Sequence, residues 1–251
     1  MLKKPLSKFL AFIIILCLSS TGLKAQVILS LIFGDKLNSN ELLFGIHVNG
    51  SLNYFSNSEG RKPLPSLNAG LFFTYRFNDH LHANIEMLAK YTRGAKELPV
   101  YSLNDPAIDS QFTGGSVTRK NQYLSLPLSV RWLTTGGFFF EIGPQISLRT
   151  GAEDIFIKDI EEGELDLKVE NKDVMNRWDF GWMAGMGYMF GKTKLLAIGL
   201  RYNGGFSDVS KIDEGNQTNQ QWGIYCNIPI GRGKMKKKQE AKAKAAAEKN
   251  Q

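Results

Sequence analysis

Residues 44–54 read FGIHVNGSLNY and change character at nearly every step: Phe44, Ile46, Val48, Leu52 and Tyr54 are apolar, while His47, Asn49, Ser51 and Asn53 are polar. A period of two sends the two sets to opposite faces of a β-strand. The same parity recurs down the chain. Leu67, Ala69, Leu71, Phe73, Tyr75 and Phe77 alternate with Asn68, Thr74 and Arg76, and Leu81 to Tyr91 alternate with His82, Asn84, Glu86 and Lys90. It continues through 124–132 with Ser125 and Arg131, 138–148 with Glu141 and Gln145, 178–190 with Asp179 and three glycines, 196–203 with Arg201, and 222–230 with Asn227. The pattern predicts about eight strands of about ten residues each.

The connections alternate too. Asn78-Asp79-His80, Thr135-Gly136-Gly137 and Gly191-Lys192-Thr193 are tight turns. Between them lie long polar segments, 55–66, 92–122, 150–176 and 204–220, read as loops. Short turns at one rim and long loops at the other predict an all-β fold: an eight-stranded antiparallel up-and-down transmembrane β-barrel over residues 42–231.

The ends differ from the body. Residues 1–26 place Lys3, Lys4 and Lys8 before the apolar run Phe9 to Leu18 and then small residues up to Ala25, the order of a secretory signal peptide. Residues 27–41 form an apolar arm, opening VILSLIF, that packs at the periplasmic rim or plugs the barrel mouth. Cys17 leaves with the signal, so Cys226 has no partner for an internal disulfide. The net charge of +7 suggests a nucleic-acid partner only until it is located. The signal carries about +4 and the basic tail 232–251 about +6, which leaves about −3 on residues 27–231. Nucleic acid is therefore not expected as a partner.

An alternating barrel has two possible orientations. A soluble lipocalin-like barrel turns its apolar face inward around a ligand, whereas a membrane barrel turns it to lipid. Here the apolar face is bulky on every strand, and the polar face holds glycines with isolated charges, too few for a water-facing exterior. Lipid is the expected solvent of the apolar face. The aromatics sort by rim, with Phe77, Trp132, Phe138, Tyr188 and Phe190 near the tight turns and Tyr54, Tyr91, Trp178, Tyr202 and Trp222 near the long loops. Two interfacial girdles are expected from them. The inward set Arg76, Glu86, Lys90, Arg131, Glu141, Arg149, Asp179 and Arg201 is expected to form a polar network filling the lumen, with Arg131 pairing Glu141 across the tight turn or Glu86 on the next strand.

The runs NQYLSLPLSVRW (121–132), DFGWMAGMGYMFG (179–191) and IGLRYNGGFSDVS (198–210), with ILSLIFGDKLNS (28–39), resemble the PorT-like outer-membrane β-barrel family of the Bacteroidetes. The resemblance covers most of residues 28–230. It implies an outer-membrane barrel and a link to protein secretion, which the family's namesake serves. Members usually end their last strand on an aromatic that helps the barrel-assembly machinery; this chain departs from that with Ile228-Pro229-Ile230-Gly231 and a basic tail.

Catalysis has little support. His47 and His82 face inward, His80 lies in a turn, and no serine or cysteine stands at a telling spacing from them. No phosphate loop or metal-ligand cluster appears, so neither cofactor nor metal is expected. The tail, rich in lysine, is expected free in the periplasm or against anionic headgroups or the cell wall. The acidic segment with DIEEGELDL at 159–167 is a solvated loop or a site for cations bridging surface lipopolysaccharide. The expectation is a non-enzymatic outer-membrane barrel with a structural or accessory envelope role, long loops outside and both termini periplasmic. A narrow porin-like channel is the alternative within the membrane.

Overall fold

The computed structural model describes residues 41–57, 62–161, 163–191, 195–212 and 215–230. The expected signal peptide, residues 27–40 of the arm and the basic tail lie outside the described residues. Nine strands follow in chain order: β1 (Leu42–Phe55), β2 (Lys62–Arg76), β3 (Leu81–Leu98), β4 (Ser116–Leu133), β5 (Phe138–Ile160), β6 (Gly163–Glu170), β7 (Trp178–Phe190), β8 (Leu196–Gly205) and β9 (Asn219–Pro229). One helix, α1 (Pro106–Phe112), joins β3 to β4, and a short 3-10 turn, Lys172–Val174, follows β6.

Eight strands close into a ring. Each pairs antiparallel with its neighbours in the order β1, β2, β3, β4, β5, β7, β8, β9, and β9 returns to β1 from Gly45↔Pro229 to Phe55↔Asn219. Closure leaves no strand edge inside the ring, as a lipid-facing sheet requires, because a bare N–H or C=O in hydrocarbon costs several kcal/mol. The ninth strand, β6, stands outside the ring and pairs only with the far half of β5, Glu153↔Glu170 to Ile160↔Gly163. Among the described residues no helix is long and apolar enough to cross a membrane.

The tight turns are built from side chains as well as backbone. Asn78 Oδ1 accepts from the N–H groups of His80 and Leu81, both at 2.8 Å, and so holds the β2–β3 connection in a turn. At Gly143 the ladders come unusually close: a Cβ there would lie 1.9 Å from the Leu128 carbonyl oxygen of β4. Only glycine lets β5 pass β4 at that rung.

Two expectations need correction. Segments 92–122 and 150–176, read as loops, are in large part strand, since β3 runs on to Leu98, β4 starts at Ser116, β5 reaches Ile160 and β6 fills 163–170. Most of their apolar residues point inward instead of outward. Phe55, Ala95, Leu98, Val117, Ala152, Phe156 and Met175 pack with Phe112 of α1 into a core above the ring, and Leu165, Leu167 and Val169 of β6 lean on it. Beyond the belt the outward face is mostly polar, with Lys120, Gln122, Glu153 and Lys168, so the membrane pattern stops although the strands do not.

The second correction concerns Lys90 and Tyr91, expected inside the lumen and in the outer girdle respectively. Between Leu88 and Tyr91, β3 carries one extra residue against β4, with Leu88 opposite Ser125 and Tyr91 opposite Tyr123. Lys90 takes a left-handed conformation there, φ 54°. Such a bulge reverses parity. Tyr91 is buried in the lumen and Lys90 is exposed.

Gly143→Val is expected to lower stability by about 3 kcal/mol, the upper end for overpacking, read as a lower urea midpoint and a smaller fraction of heat-modifiable barrel in detergent gels.

Candidate functional site: the ionic lumen

Four inward side chains meet at mid-barrel: Glu86 of β3, Arg131 of β4, Glu141 of β5 and Arg201 of β8. Arg201 donates through Nη1 and Nη2 to the two oxygens of Glu86 at 2.6 and 2.8 Å, and through Nε and Nη2 to Glu141 Oε1 at 3.0 and 2.8 Å. Arg131 Nη2 donates to Glu141 Oε2 at 2.8 Å, and the Tyr225 hydroxyl of β9 donates to Glu141 Oε1 at 2.7 Å. All four charged side chains are 2% exposed or less. Two guanidinium groups thus balance two carboxylates in a buried interior. Glu86 finds Arg201 across the barrel, not Arg131 on the next strand.

The surroundings complete the network. Asn84 Nδ2 donates to Glu86 Oε1 at 2.9 Å and its Oδ1 accepts from the Thr74 hydroxyl at 2.6 Å. His47 Nδ1 lies 2.7 Å from Asn227 Oδ1 and 3.5 Å from Glu86 Oε1. Arg131 lies over the Phe139 ring and Arg201 over the Tyr225 ring, each 4.3 Å from the centroid. Inward glycines make room for these large groups. A Cβ at Gly185 would sit 3.1 Å from Glu141 Oε1, and one at Gly199 would sit 2.7 Å from the Tyr225 ring.

Toward the long loops the filling continues in tiers. Asn49 donates to the Tyr91 hydroxyl at 2.8 Å, Tyr91 donates to Gln221, and Gln221 donates to Asn53 at 2.6 Å. Above them Arg93 Nη1 donates to Asp179 Oδ2 at 2.5 Å, with its guanidinium 5.4 and 5.5 Å from the Tyr91 and Tyr123 ring centroids. Asn219 Nδ2 donates to the same Asp179 oxygen at 2.9 Å. Higher still Arg119 grips Asp154 through Nε and Nη2, both at 2.9 Å. The Tyr101 hydroxyl donates to Asp154 at 2.9 Å. Burial and the Asp154 carboxylate push that phenol well above its usual range, so it stays a donor.

Apolar groups close both ends. The core around Phe156 caps the long-loop side, and Leu133, Phe139, Met189, Ala197 and Tyr225 cluster at the tight-turn side. Of the remaining expected lumen residues, Arg76 is half-buried on the inward face near the tight turns. Arg149 donates to the backbone carbonyls of Asn176 and Met175 at the long-loop rim. Sequence reasoning missed Arg93, Arg119 and Asp154 because it placed them in loops. The signal that could have found them is the alternation itself, continued with its dry side reversed.

The outward aromatics form two bands. Trp132 stacks on Phe140, and Phe138 meets Tyr188 edge-on, which in turn meets Phe190. These lie with exposed Phe77 at the tight-turn end. At the long-loop end Tyr202 contacts both Trp182 and Trp222, Trp178 stacks on Phe180, and Tyr54 lies on the same outward face. The histidines are dispersed, His80 Nδ1 lying 2.8 Å from the Leu133 carbonyl. Among the described residues no group of three or more His, Cys, Asp or Glu is placed to hold a metal ion.

A closed eight-stranded ring, apolar outside and ionic inside, defines the class: a β-barrel that crosses a membrane on its strands. The chain belongs to the outer membrane protein beta-barrel domain family, whose model matches residues 21–211. Its location is accordingly the outer membrane. Solved structures similar to it include the following three. Ail, the attachment invasion locus protein of Yersinia pestis, solved in complex with the heparin analogue sucrose octasulfate, is 14% identical, with 76% of this chain and 98% of that one covered and a TM-score of 0.38. Neisserial surface protein A is 14% identical, with 76% and 98% covered and a TM-score of 0.37. OprG of Pseudomonas aeruginosa is 12% identical, with 75% and 91% covered and a TM-score of 0.34. No curated protein matches the chain.

Arg201→Met leaves Glu86 without its arginine and Glu141 with Arg131 as its one cation, and is expected to cost about 3–5 kcal/mol. Urea unfolding in lipid vesicles, followed by tryptophan fluorescence, measures it; adding Glu86→Gln should recover part of the loss.

Proposed function

We propose that this protein is a non-enzymatic, non-conducting outer-membrane scaffold whose barrel holds a folded cap at the cell surface. The carrying observation is the filled lumen. Three ionic tiers, Glu86–Arg201–Glu141–Arg131, Arg93–Asp179 and Arg119–Asp154, are stacked between two apolar clusters. An aqueous path needs a wider barrel or a free polar wall, and here the wall's charges are spent on one another. Exposed Trp132, Phe140, Ile142, Met186, Trp222 and Ile224 on the outside support lipid as the outer solvent, which disfavours the soluble ligand-binding reading.

In this reading the long-loop cap faces the exterior and both termini face the periplasm. The two aromatic bands sit at the headgroup layers, and lipopolysaccharide and membrane lipid are the immediate neighbours. The resemblance to PorT-like barrels adds an accessory role in protein export, with secretion components as partners and the tail reaching toward the cell wall. Insertion depends on the barrel-assembly machinery. The departure from an aromatic end to the last strand bears on how that machinery engages it.

The test is electrical. The refolded protein, with folding verified by heat-modifiable migration, is expected to give no conductance steps in planar bilayers. Reproducible steps from the folded form would overturn the non-conducting reading in favour of a narrow channel.

A further inference from the structure

A groove of about 440 Å³ opens on the outer wall where β4, β5 and β6 run side by side. Its charged and polar lining is Lys120 and Gln122 of β4, Thr150 and Glu153 of β5, Lys168 and Glu170 of β6, and Lys172. Glu153 lies directly opposite Glu170 across the β5–β6 ladder and opposite Lys120 across the β4–β5 ladder. Lys172 bonds Glu170 at 2.5 Å. Lys120 and Lys168 form no ion pair among the described residues, which leaves two ammonium groups flanking the groove uncommitted.

The height of the groove says what it meets. Leu124, Leu148 and Trp178 form the last outward apolar rung across β4, β5 and β7, and Gln122 is the next outward residue on β4. At about 3.3 Å per residue and a tilt of about 40°, the apolar belt from Trp132 to Leu124 is about 20 Å tall and Gln122 lies about 25 Å from Trp132, at the edge of an outer-membrane barrel's apolar band of about 25 Å. The groove therefore starts at headgroup depth in the leaflet on the long-loop side. The β3 bulge adds a second feature at that depth. It turns Lys90 outward just below the groove, at the Leu124 rung, where its stem can lie along lipid while its ammonium reaches the headgroups.

We propose that this groove binds the phosphate of an anionic lipid headgroup, with Lys120 and Lys168 as its cations and the Gln122 amide as a neutral donor. At this depth phosphate is the anion that the bilayer supplies, and clustered lysines near a surface bind it additively. The site rests on the membrane orientation of the barrel and is independent of whether the lumen conducts.

Native mass spectrometry of the full chain in detergent tests it, with phosphatidylglycerol, phosphatidylcholine and inorganic phosphate titrated separately. The expected result is retention of phosphatidylglycerol over phosphatidylcholine, weakened about tenfold or more in the double variant Lys120→Gln, Lys168→Gln and preserved in Lys120→Arg, Lys168→Arg. The tail's lysines are common to all forms and cancel in the comparison. Equal retention by wild type and the glutamine variant, or of the two lipids, would overturn the site. Saturation by inorganic phosphate without lipid retention would overturn the lipid as its source. Heat-modifiable migration of each variant separates a failed site from a failed barrel, since these side chains all face outward.

Discussion

Arg201 reaches from β8 to carboxylates on β3 and β5, two strands it does not neighbour, and so ties opposite walls of the ring together. A ring of eight strands leaves an interior only wide enough for side chains, so whatever faces inward must meet its counterpart across the axis. Once Glu86 and Glu141 are inside, two cations must be inside with them, because an unpaired carboxylate in such a place costs several kcal/mol. The glycines follow from the same constraint. Gly185 and Gly199 are empty so that Glu141 and the Tyr225 ring can occupy the space beside them.

The strands outrun the membrane, and their chemistry changes where they leave it. Within the belt, Leu128, Val130 and Trp132 of β4 face out while Ser125, Ser129 and Arg131 face in. Farther along the same strand, Lys120 faces out and Val117 faces in, packed on Ala152 and Phe156. One continuous ladder thus serves two solvents, with lipid on the outside of one half and water on the outside of the other. The cap is an ordinary water-soluble core, and the belt is its inverse.

That reversal explains what was legible in the sequence. The belt strands could be read because alternation with bulky apolar residues has few other causes, and Arg131, Glu141, Asp179 and Arg201 took their faces from parity alone. The cap strands carry the same alternation, Glu164-Leu165-Asp166-Leu167-Lys168-Val169-Glu170 being almost perfect, yet charge density made the stretch look like a loop. Parity also cannot foresee a bulge. Nothing in Leu88-Ala89-Lys90-Tyr91 announces the extra residue, which is fixed by the ladder with β4, so Tyr91 and Lys90 came out on the wrong faces. Which carboxylate Arg201 takes is likewise decided across the lumen, at sequence separations that no local pattern reports.

An apolar lumen would pack as well and avoid desolvating four charges, so the ionic filling calls for a reason beyond stability. A strand apolar on both faces has no preferred parity: a slip of one residue would exchange the faces at no cost, and the ring would have many near-equal registers. Polar inward residues make every such slip expose a charge to lipid. Arg201 facing hydrocarbon would lose two carboxylates at once, and Glu86 and Glu141 would be left without it. The network therefore penalises wrong registers more than it stabilises the right one, which is the kind of specificity that buried ion pairs supply where they are worth keeping. The slip of β3 inside the belt, between Leu88 and Tyr91, obeys the same rule, while its second slip, between Ala95 and Leu98, lies beyond the belt. The bulge sends Lys90 outward only at the rung where the belt ends and headgroups begin, and brings the Tyr91 hydroxyl inward to a waiting Gln221.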